Sequence, residues 1–227
     1  MTLVFLPGMM CDARLFQHMP PGPCLDISQH ETVQALAADV LSAAPDRFAL
    51  AGLSMGGIVA MEVIAQAPDR VTHLCLMDTN AEAETDRVAA LRVPQIAKAE
   101  AGQLRSVMRD EMKPNYLADT PNRSTILDLC MDMALDLGPE VFVRQSKALM
   151  TRPDQKLTLS NWLKPTLILT GAEDRLCPMH RHTLMKELMP HARLTVIEGA
   201  GHLATLEQPA ATSHALSSWA DETGLIL

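Results

Sequence analysis

No stretch of this chain approaches the ~20 consecutive apolar residues that a membrane-spanning helix needs. Cations are also scarce: 19 Lys and Arg stand against 27 Asp and Glu, for a formal charge of −8. A nucleic-acid surface would need clustered Lys and Arg, so no nucleic-acid partner is expected. The start, MTLVFLPG, has neither a basic opening nor a signal-type apolar run, so a cytoplasmic location is the expectation. Cysteine is present but unpaired in pattern. Cys11, Cys24, Cys75, Cys130 and Cys177 form no CxxC, which argues against a zinc site or a disulfide framework and suits free thiols. Repeats and low-complexity tracts are lacking too.

What is there is a large apolar fraction, 48% of 227 residues, enough for one α/β domain or a domain plus a small insertion. Leu3 to Leu6 is a short apolar run halted by Pro7-Gly8, as for a buried parallel strand. A helical turn is expected at Ala13 to Met19 and a short second strand at Cys24 to Ile27. Val33, Leu36, Ala37, Val40 and Leu41 share one helical face, and Pro45 ends that helix. Phe48 to Leu53, Val71 to Met77, Thr166 to Thr170 and Ala192 to Ile197 complete about six strands. Helices are predicted at Gly56 to Ala67, Thr125 to Leu137, Pro139 to Met150, His180 to Met189 and Pro209 to Glu222. The alternation is that of βαβ units and a parallel sheet. It breaks between Ala81 and about Met150, where no strand is visible. Residues 80–155 are therefore predicted to be an inserted helical cap, with 1–79 and 156–227 forming the core.

Gly52-Leu53-Ser54-Met55-Gly56 is G-x-S-x-G, after a predicted strand and at the start of a predicted helix. A sharp strand-to-helix corner holds its central residue under strain and crowds its neighbours, so glycine is required on both sides. Ser54 would stand at the carboxyl edge of the sheet. The Met55 N–H would lie at a helix N-terminus, where negative charge is favoured. A serine nucleophile needs a base. His202, between Gly201 and Leu203 after the last strand, is the candidate. His30, His73, His180, His182, His191 and His214 are better suited to surface positions. Asp174, just after the Thr166 strand, is the expected orienting acid. Glu173 and Asp78 are its alternatives. Gly8 permits a tight turn after the first strand, making the Met9 N–H a second oxyanion donor beside Met55. Met10 and Met179 fall near these positions and are expected in an adaptable apolar pocket. Arg144 and Arg152 flank the last cap helix and would bind a substrate carboxylate if they reach the pocket.

The elbow GLSMGG, the acid loop GAEDRLCP and the histidine loop GAGHLATLEQP together resemble the α/β-hydrolase superfamily, in order, context and approximate spacing. The resemblance covers nearly the whole chain and is weakest in the cap. It implies a mainly parallel sheet flanked by helices. It also implies Ser54 as nucleophile, His202 as base, Asp174 as acid, and Met9 and Met55 as backbone donors. Two departures stand out. The antiparallel hairpin usual before the Leu3 strand is not expected in this chain, and the oxyanion loop reads Pro7-Gly8 where the family usually has His-Gly. The implied activity is hydrolysis of a small or medium carboxylic ester, without metal or organic cofactor, by a monomer or homodimer. Carbon–carbon bond hydrolysis and thioester hydrolysis use the same residues. A non-catalytic small-molecule sensor on the same scaffold is the rival from another class.

Overall fold

The computed structural model describes residues 1–226. Five strands form one sheet in sequence order: β1 (Leu3–Leu6), β2 (Phe48–Leu53), β3 (Val71–Met77), β4 (Thr166–Gly171) and β5 (Arg193–Ile197). Every pairing is parallel. β1, β2 and β4 are buried along their whole length, as expected of strands covered on both faces. Period two sorts their side chains. Val4, Leu6, Phe48 and Leu50 join one apolar layer, while Leu3, Phe5, Ala49, Ala51 and Leu53 join the other.

The first layer is covered by α1 (Val33–Ala43) and α2 (Met55–Gln66). Thr32 starts α1 by accepting the Ala35 N–H at 3.3 Å. Val33, Leu36, Ala37 and Val40 face inward, as their spacing predicts. α2 is buried over Met55 to Ile64, with polar side chains only at Glu62 and Gln66 near its end. That places a rigid helix directly behind the elbow. Between β3 and β4 lie α3 (Asp86–Lys98), α4 (Leu104–Val107), α5 (Arg123–Leu137), α6 (Pro139–Met150) and α7 (Lys156–Ser160). After β4 come α8 (Met179–Leu188), then β5, α9 (Ala204–Glu207) and α10 (Pro209–Thr223), which ends at left-handed Gly224. Leu216 and Trp219 of α10 pack on the second layer.

The stretch expected as a second strand at Cys24 to Ile27 makes only one bridge, Cys24 to Phe5, beside β1. Phe5 donates to Pro23 O at 2.8 Å and Leu25 donates back to Phe5 O at 3.0 Å. The chain then turns away, because Asp26 Oδ1 captures the Ser28 N–H at 2.9 Å and closes a local turn. The expected turn at Ala13 to Met19 is a shorter 3₁₀ turn, Ala13–Phe16, capped by Asp12. The other predicted helices fall within two residues of their observed ends.

Candidate active site

β2 runs into α2 through Ser54, whose φ of 54° and ψ of −115° lie where only glycine is relaxed. Three bonds pin this corner. Ser54 N–H donates to Met77 O at 2.9 Å, Ser54 O accepts from Thr79 Oγ1 at 2.7 Å, and it also accepts from Ile58 N–H at 3.1 Å. The glycines are sterically necessary. A Cβ on Gly52 would strike the Gly56 carbonyl, and one on Gly56 would strike the Leu6 carbonyl. The turn therefore packs β1, β2 and α2 backbone to backbone, and Ser54 is lifted from the sheet edge.

Three of the residues singled out from sequence converge there. His202 Nε2 lies 2.8 Å from Ser54 Oγ, and His202 Nδ1 lies 2.9 Å from Asp174 Oδ2. Asp174 Oδ1 accepts the N–H groups of Leu176 and Cys177 at 2.8 and 2.9 Å. His202 is 4% exposed and Asp174 7%, so the chain of bonds sits in a water-poor setting. Burial by itself pushes the Asp174 carboxyl upward. The His202 charge and hydrogen bond, with the two backbone donors, outweigh it and hold the carboxyl below the usual carboxylate range. The neighbour Glu173 is exposed and makes no side-chain contact with His202.

Asp78, the other alternative, is fully buried after β3 with φ of 44°. Its Oδ1 accepts the Gly171 N–H at 2.8 Å, while Oδ2 has no hydrogen-bond partner among the described residues. Burial, and then the nearby Asp174 charge, push its carboxyl well up. A neutral carboxylic acid beside an ionised one is the arrangement these environments favour.

Among the described residues, the N–H groups of Met9 and Met55 have no acceptor within the protein. Both residues line the cavity that holds Ser54 and His202, of about 250 Å³. The loop carrying Met9 is fixed by the next residue. Met10 has φ of 56° and donates its N–H at 2.8 Å to Oε1 of Gln145, which in turn donates to Ile27 O.

Three pocket residues expected from sequence lie elsewhere. The Met10 side chain is 1% exposed in the apolar layer, so it contributes by its backbone turn. Met179 opens α8 and is 38% exposed outside the cavity lining. Arg144 donates to Ser28 O at 2.7 Å and borders a separate groove with Glu31 and Glu140. Arg152 does reach the cavity. His182, expected at the surface, is fully buried. Its Nε2 accepts the Thr79 N–H at 3.2 Å, and burial pulls its pKa down to about 4.

Other residues escaped the sequence reading. Glu207 is a buried carboxylate that accepts from Ala118, Gly201 and Leu203 N–H at 2.7, 2.9 and 3.1 Å. It thereby bolts the histidine loop to the segment between β3 and β4. His202 N–H donates to Tyr116 O at 2.7 Å in the same junction. The only available signal for Glu207 was an acid five residues beyond His202, next to a helix start. Arg92 and Glu84 also line the cavity and carried no sequence signal.

Donor atoms of Asp174, Cys177 and His202 lie within 4.8 Å of one another, close enough to suggest a metal set. The chemistry does not suit one. The carboxylate and imidazole are already spent on each other and on backbone donors, and burial pushes the Cys177 thiol up, away from the thiolate a metal would need.

Residues 4–215 match the alpha/beta hydrolase family. A pimeloyl-(acyl-carrier protein) methyl ester esterase of Neisseria meningitidis is 28% identical over 174 residues, which are 74% of this chain and 67% of that protein. A mouse sn-1-specific diacylglycerol lipase, ABHD11, is 23% identical over 180 residues, 75% of this chain and 58% of that one. Among solved structures, a thermophilic esterase from Thermogutta terrifontis superposes with a TM-score of 0.88 at 22% identity, over 98% of this chain and 90% of that chain. An enol-lactonase from Burkholderia xenovorans gives 0.85 at 18% identity, over 97% and 91%. Fold, strand order and an extended family match thus agree, and the chain belongs to the alpha/beta hydrolase family, as a hydrolase whose similar proteins include esterases.

Proposed function

We propose that this protein is a serine hydrolase of small or medium carboxylic esters, working through an acyl-enzyme on Ser54. The observation that carries the reading is the continuous chain Ser54 Oγ, His202, Asp174, at 2.8 and 2.9 Å, hung on a strained elbow. His202 Nε2 takes the Ser54 proton as Oγ attacks the ester carbonyl. Asp174 holds the Nδ1–H tautomer and stabilises the imidazolium. The tetrahedral oxyanion rests on the Met9 and Met55 N–H groups, each such donor being worth about 10²–10³ in rate. The imidazolium returns its proton to the departing alcohol. Water then repeats the cycle: His202 takes its proton, the acyl–Oγ bond breaks, and the acid and Ser54 hydroxyl are released.

In this reading residues 80–155 are the cap over a core made of 1–79 and 156–227. The cap contributes Glu84, Val88, Arg92, Met112, Tyr116 and Arg152 to the cavity. At about 250 Å³ the space is below the ~300–1,000 Å³ of drug-sized sites, which favours a small acyl or alcohol group. The similar methyl ester esterase and the enol-lactonase fold neighbour are ester hydrolases by name and support the bond type.

The test is steady-state hydrolysis of p-nitrophenyl acetate, butyrate and octanoate by wild type and Ser54→Ala. Turnover of the shorter esters that disappears in the variant is expected. Equal turnover in both proteins would remove Ser54 from the chemistry. Single-turnover acylation without a steady state would favour a sensor.

A further inference from the structure

The lining of the Ser54 cavity around Glu84 carries more positive charge than its own partners neutralise. Glu84, whose side chain is 3% exposed, is held by two guanidiniums at once. Arg92 Nε meets Oε2 at 2.5 Å and Arg92 Nη2 meets Oε1 at 3.3 Å, while Arg152 Nη1 meets Oε1 at 2.8 Å. The arginine side chains are only 13% and 10% exposed. A third cavity arginine, Arg181, pairs with Glu82, which Lys156 also approaches at 3.8 Å. One carboxylate therefore faces two buried cations, in a protein whose overall charge is −8.

An excess buried cation is costly to keep unless something completes it. Arg92 and Arg152 still have donors to offer. Arg152 spends Nε on Glu82 O at 3.0 Å and Nη1 on Glu84, and its Nη2 has no acceptor among the described residues. Among the described residues, Arg92 Nη1 has only the Met9 thioether, at 3.7 Å, a weak acceptor. Met9 also lines the cavity that holds Ser54. Arg92 and Arg152 line the same cavity as Ser54, so their spare donors are available to an ester bound there. Arginine cannot shed its proton, so the site cannot neutralise itself.

We infer that Arg92 and Arg152, braced by Glu84, form an anion subsite that selects esters carrying a carboxylate at the end away from the scissile bond. This rests on the ester-hydrolase reading above and names its substrate class: half-esters of short dicarboxylic acids, or lactones with a carboxylate. Glu84 acts as a positioning residue that presents the two forks, and the substrate carboxylate supplies the missing charge.

The experiment compares monomethyl succinate, glutarate and adipate with methyl butanoate, pentanoate and hexanoate, as kcat/KM, in wild type, Arg152→Gln, Arg92→Gln and Arg152→Lys. Wild type should favour the half-ester over the neutral ester by about tenfold or more for at least one length, the worth of a charge-assisted hydrogen bond. Either Gln variant should bring that ratio close to one, whatever its absolute rate, and Arg152→Lys should restore part of it. No preference in wild type, or a preference that survives both Gln variants, overturns the subsite. If no ester of either kind is hydrolysed, the ester-hydrolase reading fails by itself. Calorimetric titration of wild type and Arg152→Gln with glutarate then decides the subsite: saturable binding weakened at least tenfold by the substitution supports it, and no binding overturns it.

Discussion

Replacing Ser54 by glycine and by alanine separates the hydroxyl from the backbone strain. Both variants lose the Ser54–His202 hydrogen bond, worth about 1 kcal/mol net. Alanine keeps a Cβ at φ of 54° and ψ of −115°, and the corner cannot relax because Met77, Thr79 and Ile58 hold it on both sides. Strain of this kind costs about 1–3 kcal/mol, and glycine removes it. Glycine in turn adds unfolded-state freedom worth about 0.5–1 kcal/mol against alanine. The balance makes Ser54→Gly more stable than Ser54→Ala by about 1 kcal/mol. At this chain length that is about 2–4 °C in Tm. Urea and thermal unfolding of the two variants, side by side, read it directly. An alanine variant as stable as the glycine one, or more stable, would refute the claim that the elbow stores strain.

Further predictions concern the acids. Asp174→Asn should keep the bonds to Leu176 and Cys177 N–H but favour the wrong imidazole tautomer, lowering kcat about 10⁴-fold. Because the Asp174 carboxyl is held low in the fold, the stability it contributes is present above the unfolded carboxylate pKa and is lost as pH falls through its folded value. Denaturant titration from neutral to acid pH should show wild type losing its advantage over Asp174→Asn there. Asp78 has the opposite sign. Its folded pKa is raised, so wild type loses stability as pH rises from about 4, where the unfolded carboxyl ionises. The stability of Asp78→Asn relative to wild type should therefore climb across that range, and a flat difference would contradict a buried neutral Asp78. Glu207→Gln must turn an amide N–H₂ towards one of three backbone donors, costing about 1–3 kcal/mol by chemical denaturation. It should also lower kcat by loosening the His202 loop, without displacing bound substrate.

The convergence of Ser54, His202 and Asp174 was readable because each sits in a short local motif. Gly52 and Gly56 flank Ser54 for a steric reason visible in five residues, and His202 and Asp174 each follow an apolar run that ends at the sheet edge. β1, β2 and β4 were readable because strands buried on both faces read as short, mostly apolar runs. The Cys24 segment misled because Ile27 is apolar and buried, yet the Asp26 turn, a side-chain to backbone contact, ended the pairing. The Arg92, Arg152 and Glu84 side of the cavity was not readable. Arg152 meets Glu84 across 68 positions and Gln145 meets the Met10 N–H across 135. No periodicity encodes such meetings, since they depend on how α3 and α6 lie over the sheet. Arg144 and Arg152, eight positions apart around the end of α6, looked equivalent in sequence. One caps Ser28 outside the cavity, and the other enters it.

The most direct test of the central claim is to treat the protein with a fluorophosphonate probe and locate the adduct by mass spectrometry of the intact chain and its peptides. A single adduct on Ser54, absent from Ser54→Ala and much slowed in His202→Ala, is the predicted result. A full-length protein that takes up no probe at Ser54, or one labelled equally well without His202, would contradict an activated serine at the elbow.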